Sequence, residues 1–150
     1  MFDDLRDLYQ EVILDHGRRP RHGSRLAAYD ASAKGDNPMC GDRVQVFVRH
    51  DDAGRIAEAG FEARGCAISV ASADLMAETV AGRTDAEVRE LASRFRDMAR
   101  TGEAAGEDAA IERLRPLAGV HEYPSRVKCA TLAWHALLAA LDGKGEASSE

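Results

Sequence analysis

Apolar residues recur at helical spacing over 3–16, where Leu5, Leu8, Tyr9, Val12 and Ile13 form one stripe. The pattern predicts a first helix, with Gly17 as its stop and Pro20 beyond its end. A basic connector, Arg18-Arg19-Pro20-Arg21-His22, leads into a short predicted strand over 26–34. The period then changes from 3.6 to 2. Val44, Val46 and Val48 alternate with Gln45 and Arg49, and Ala57, Ala59, Phe61 and Ala63 repeat the alternation after a turn over 51–54. Consecutive strands joined by short turns pair antiparallel, so the expected sheet is small, three-stranded and antiparallel.

Helical spacing returns after Gly65. Ile68, Ala71, Ser72, Leu75, Met76 and Thr79 make a stripe that ends near Gly82. Thr84-Asp85-Ala86-Glu87 has the form of a capping box, and Val88, Leu91, Ala92, Phe95 and Met98 give the apolar face behind it. Residues 101–106 are small, polar and glycine-rich, which predicts a mobile loop. A short helix over 108–114 is expected to stop before Pro116. Pro124 suits the first turn of a last helix, which Val127, Ala130, Thr131, Trp134, Leu138 and Leu141 carry to about 142. The layout is α+β: one domain over 1–142, with 143–150 as a disordered tail.

Composition narrows the function classes. At 150 residues and 45% hydrophobic, the chain can bury a single core. A net charge of -6 argues against a nucleic-acid binder, which needs clustered positive charge. No apolar run approaches a membrane span, and Asp3-Asp4 stands where a secretory leader would carry basic residues. The three cysteines therefore read as cytoplasmic thiols, and an odd count leaves at least one outside any internal disulfide.

The chemistry gathers at Gly35-Asp36-Asn37-Pro38-Met39-Cys40-Gly41-Asp42, read as one turn. Side chains two residues apart in an extended segment point the same way, so Cys40 and Asp42 are placed to grip one atom. Cys66 closes the strand next to the one Asp42 opens, and Cys66 and Cys129 both fall where helices are predicted to begin. Helix N-termini favour thiolates. Cys40, Asp42, Cys66 and Cys129 thus supply a four-ligand set of the type zinc takes. Three thiolates and a carboxylate on a divalent metal leave excess negative charge, for which Arg126, Lys128 and Arg64 are the nearest cations; Arg126 is the first choice to pair with Asp42 or a released thiolate. The competing reading is three ordinary buried cysteines, since the chain has no C-x-x-C pair. His16, His22 and His121 read as helix-end or surface residues, and His135 as a packing or surface residue.

Three motifs carry a resemblance: GDNPMCGD over 35–42, FEARGCAIS over 61–69 and RVKCATLAW over 126–134. Together, in this order, they resemble the IscU/NifU N-terminal family, and LYQEVILDH over 8–16 resembles its opening helix. The chain is similar to the SufU branch rather than to the IscU scaffolds. Lys128 precedes Cys129 where the scaffold type has a histidine, and 82–121 is long enough for the extra helical segment of the SufU type. One departure is Gly17, where the family usually has an aromatic residue.

The resemblance implies zinc held by Cys40, Asp42, Cys66 and Cys129. It implies that Cys40 accepts sulfane sulfur from a SufS-type pyridoxal-phosphate cysteine desulfurase and passes it to the SUF assembly machinery. Because Cys40 lies in a turn, it is the thiolate expected to be freed, with a partner histidine taking its place. Two other functions compete. One is a scaffold on which a [2Fe–2S] cluster is assembled, since thiolate sites serve both metals. The other is a structural zinc module that docks partners.

Overall fold

The computed structural model describes residues 2–38, 41–104, 106 and 108–148. Helix α1 (Phe2–Arg18) precedes strands β1 (Ala31–Asn37), β2 (Asp42–His50) and β3 (Ile56–Arg64). Helices α2 (Ala67–Val80), α3 (Asp85–Thr101) and α4 (Ala109–Leu114) follow. A 3₁₀ helix (Arg115–Glu122), α5 (Pro124–Leu141) and a short β4 (Glu146–Ser148) complete the order. The sheet runs β3-β2-β1-β4, antiparallel except for a parallel β1–β4 pair. The α+β expectation holds, with a fourth strand added.

The alternation over 44–48 does what its period requires. Val44, Val46 and Val48 are buried in the main core with Phe61 of β3 and with Leu75, Met76, Leu132 and Leu137 of the helices. The opposite face is covered too. Phe47 is fully buried, its ring edge-on to Tyr29 at 4.9 Å and under the Arg25 guanidinium at 5.0 Å. That cover explains why the first strand is displaced. Residues 26–30 lie across the outer face with Tyr29 over Phe47, so β1 begins only at Ala31 and runs on to Asn37. Half of the expected 35–42 turn is therefore strand.

Two further expectations are corrected. Gly17 does not stop α1, which continues to Arg18. At Gly17 the helix comes so close to α2 that an added Cβ would stand 3.0–3.2 Å from Ala67 atoms, a contact only glycine accommodates easily. The short helix stops at Leu114, before Pro116, as expected; Pro116 then sits in the first turn of the 3₁₀ helix, where its missing N–H costs no bond. The 143–150 tail is not structureless throughout. The chain reverses as Lys144 N–H bonds Ala139 C=O, and Gly145 C=O accepts from Lys34 N–H at 2.9 Å. Residues 146–148 then pair with 34–36. An unpaired β1 edge offers backbone groups that a neighbouring segment satisfies. Ala147 packs there with Ala33, Ala139 and Ala140.

The capping box is formed as read: Glu87 N–H donates to Thr84 Oγ1 at 3.2 Å, and Thr84 N–H to Glu87 Oε1 at 3.1 Å. His50 clips this helix start to the sheet, with Nδ1 2.9 Å from Asp30 and Nε2 2.7 Å from Asp85. Burial pushes the His50 pKa down, but hydrogen bonds to Asp85 and Asp30 outweigh it and raise the pKa above the usual value. A group whose pKa rises on folding stabilises fully below its unfolded pKa, about 6.5 for histidine, and loses that contribution as pH climbs through the folded value. The stability advantage of wild type over His50→Gln is therefore expected to be largest near pH 6 and to shrink towards pH 9, read from urea midpoints at both. Among the described residues no helix is long and apolar enough to cross a membrane.

Candidate metal centre

Asp42 opens β2 and Gly65 follows β3, in a pairing that sets Arg43 opposite Arg64. The strand ends therefore bring Asp42 against the chain leading into α2. Gly41 N–H bonds Asn37 C=O at 2.9 Å and closes the turn between β1 and β2. Helix α5 packs over β1, β2 and α2 and delivers Cys129 to the same end. One carboxylate oxygen of Asp42 and the sulfurs of Cys66 and Cys129 all lie within 4.8 Å of one another. Asp42 is 2% exposed and Cys129 6%, whereas Cys66 is half-buried.

Local bonds hold the carboxylate in place. Asp42 Oδ1 accepts from the Cys66 N–H at 3.1 Å, and Oδ2 stands 3.8 Å from Cys66 Sγ. Gly65 makes this approach possible, because a Cβ at that position would collide with the Asp42 carboxylate. The FEARGC motif thus needs its glycine for the space beside Asp42. Cys66 is the N-cap of α2, as its sequence position suggested, with no side-chain capping bond. Cys129 differs: α5 starts at Pro124, so Cys129 lies in the second turn, past the N-terminal dipole.

The donor set fits a tetrahedral thiophilic metal. With zinc–sulfur bonds of about 2.3 Å and zinc–oxygen bonds near 2.0 Å, neighbouring donors in a tetrahedron stand ~3.5–3.8 Å apart. The 3.8 Å between Asp42 Oδ2 and Cys66 Sγ is close to the ~3.5 Å of an oxygen–sulfur edge. Two sulfurs and one oxygen leave one position of four, and Cys40 is covalently two residues from Asp42. Cys40 itself lies outside the described residues.

Of the three cations expected nearby, Arg64 and Arg126 are exposed and Lys128 is half-buried. Among the described residues none forms an ion pair, so the Arg126–Asp42 contact suggested by the sequence is not made. A concavity of about 750 Å³ opens beside the site, lined by Asp36, Pro38, Gly41, Asp42 and Glu146 among others.

The sequence reading passed over Asp74. It is fully buried in α2 and takes two bonds: His16 Nδ1 at 2.5 Å and the His22 N–H at 2.8 Å. Its signal was an acid within the otherwise uncharged run 67–77. The pair ties the end of α1 and the basic connector to α2, which carries Cys66 at its cap.

The chain is similar to proteins named for iron–sulfur cluster assembly. Over 137 residues the chain is 36% identical to the iron–sulfur cluster assembly scaffold protein IscU of Streptococcus pyogenes, covering 91% of this chain and 84% of that one. It is 36% identical over 135 residues to the zinc-dependent sulfurtransferase SufU of Bacillus subtilis, covering 89% of each. Its fold superposes with a TM-score of 0.79 on a Fervidobacterium islandicum protein described as an iron–sulfur cluster assembly scaffold for the SUF system, at 30% identity and covering 87% of this chain and 94% of that one. The NifU-like N terminal domain matches residues 8–130, and the chain belongs to that family.

Proposed function

We propose that this protein is a zinc-dependent sulfur acceptor of the SUF iron–sulfur assembly system, working in the cytoplasm with a SufS-type pyridoxal-phosphate cysteine desulfurase. The observation that carries the reading is the convergence of Asp42, Cys66 and Cys129; in this reading Cys40, two residues before Asp42 in the sequence, is the fourth ligand and the sulfur nucleophile. The Bacillus subtilis relative, named a zinc-dependent sulfurtransferase and matched over nearly its whole length, supports the same reading.

Zinc, when bound by Cys40, Asp42, Cys66 and Cys129, would hold the thiols as thiolates near neutral pH. The rest falls to the chain. Cys66 and Cys129 are anchored to helices and Asp42 to a strand, so these three are the fixed ligands. Cys40, on the turn, is the thiolate that attacks. Its sulfur takes the outer sulfur of the desulfurase persulfide: the partner's S–S bond breaks, a new S–S bond forms on Cys40, and the partner cysteine leaves as a thiolate. Electrons balance without an outside oxidant or reductant. Arg64, Arg126 and Lys128, each within three residues of Cys66 or Cys129 in the sequence, would supply positive charge for the thiolates. The SUF scaffold complex is the next recipient of the sulfur.

The test is desulfurase turnover with wild type and with Cys40→Ala, with zinc measured in both. We expect the variant to fold, yet to lose the stimulation of turnover by at least tenfold, about 1.4 kcal/mol in a rate barrier. Stimulation at the wild-type level would end the assignment. A Cys40→Ala chain that loses fold and function together would instead favour the structural zinc module. The scaffold reading is kept alive by the Streptococcus pyogenes relative. It predicts a brown protein with [2Fe–2S] absorption, whereas the zinc protein is colourless.

A further inference from the structure

Strand β4 is held to the sheet by little. It has three residues and lies parallel to β1, the less stable of the two pairings. The run Gly145-Glu146-Ala147-Ser148 has no β-branched or aromatic residue. Lys144, Gly145 and Glu146 are exposed, and Ala147 is only half-buried, against the small cluster of Ala33, Ala139 and Ala140. Gly143, at φ 74°, turns the chain back from α5. A segment with so few apolar contacts opens at low free energy.

This segment also stands beside the metal centre. Glu146 and Ala147 form part of the lining of the concavity of about 750 Å³ that borders Asp42. Among the described lining residues the charged groups are three acids, Asp36, Asp42 and Glu146, and one cation, Arg43. Arg43 already lies 3.4 Å from Asp36. With Asp42 committed to a metal, Glu146 is the acid left without a cation at this mouth. The backbone supplies a reporter. Lys34 N–H donates to Gly145 C=O at 2.9 Å, so this amide is protected only while the segment is in place.

We propose that residues 143–148 are a releasable strap that restricts access to the metal centre from the β1 side, with Glu146 making the closed mouth unfavourable to anions. The inference rests on the zinc reading of the site and adds its regulation. Release removes part of the wall beside Asp42 and one carboxylate with it. An anionic reagent, a persulfide included, then meets a wider and less negative approach.

The test compares the zinc-loaded full chain with Gly145→Ala, with Glu146→Gln and with a chain ending at Lys144, which keeps the Lys144 N–H bond to Ala139 C=O at the end of α5. Gly145 lacks a positive φ and has open space around it, so alanine fits there and narrows the states open to a released strap. Zinc loss is timed with anionic EDTA and with neutral phenanthroline, and exchange of the Lys34 amide is followed by NMR. In wild type, Lys34 should exchange well before Val46 in the middle of the sheet. The chain ending at Lys144 should lose zinc to both chelators about fivefold faster or more, at an unchanged urea midpoint. Gly145→Ala should slow both zinc loss and Lys34 exchange by about two- to fivefold. Glu146→Gln should speed loss to EDTA roughly twofold at low salt and leave phenanthroline unaffected. Unchanged zinc loss in the shortened chain would overturn the proposal, because reagents would then reach the metal elsewhere. Lys34 exchange as slow as that of Val46 would overturn it too, since the strap would not open. A full chain that takes up no zinc, shown by elemental analysis before any chelator is added, would end the metal reading and this regulation with it.

Discussion

Asp42→Ala is expected to strip the chain of most of its zinc and to weaken the metal-free fold by about 1–3 kcal/mol, the cost of a buried donor left without its acceptor. Both effects start from one carboxylate. Its Oδ2 lies 3.8 Å from Cys66 Sγ, at ligand-to-ligand spacing, and its Oδ1 holds the Cys66 N–H at the entrance to α2. Asp42→Asn separates the two roles. The amide keeps an acceptor oxygen for Cys66 and nearly the same volume, but it removes the charge that a cation needs in a 2% exposed site. Most of the metal-free stability should return while zinc stays low. Elemental analysis and urea unfolding, with and without chelator, read the two effects apart. In wild type, zinc should raise the unfolding midpoint, because a ligand that binds only the native state stabilises it by mass action. In both variants that rise should be small. Wild-type zinc content in Asp42→Ala would remove Asp42 from the ligand set.

This site was legible in the sequence to the extent that local rules reach. Asp42 at a strand start and Cys66 at a helix cap follow from the alternation over 44–48 and the stripe after Gly65, and both stand where those patterns put them. Convergence with Cys129 is long-range, and no spacing rule encodes it; the order of three motifs supplied it instead. The misreadings have the same origin. Residues 26–30 read from the sequence as the start of a strand, but Tyr29 lies over Phe47 rather than in a ladder. Residues 146–148 have little β propensity of their own and pair because α5 ends beside the open edge of β1. Arg126 looked like a partner of Asp42 from its distance in sequence, whereas the Cys66 backbone already occupies that carboxylate. Asp74 was passed over because an acid in a helix reads as a solvent-facing residue until tertiary packing buries it.

Asp74→Ala is expected to cost about 3 kcal/mol, the upper end of the range for a hydrogen bond to a charged group, because a fully buried carboxylate that accepts from both the His16 ring and the His22 N–H is removed. The loss has two parts. The His16 ring and the His22 N–H both give up an acceptor, and the end of α1 loses its tie to α2. A domain of this size holds only about 5–15 kcal/mol in all, so urea unfolding will register the change as a large shift of the midpoint. Asp74→Asn retains one acceptor oxygen and should lose clearly less. His16→Ala alone and in combination with Asp74→Ala then completes a double-mutant cycle. A coupling energy of about 1 kcal/mol or more marks a direct pair, and additivity would mean that His16 and Asp74 act separately. Zinc content should be unchanged in all of them, since neither residue belongs to the ligand set. The free energy of local opening should fall first in α1, which limited proteolysis by trypsin after Arg18 reports directly. If Asp74→Ala unfolds at the wild-type midpoint, the buried carboxylate does not hold α1, and packing of Gly17 against Ala67 is left as the main tie between the two helices.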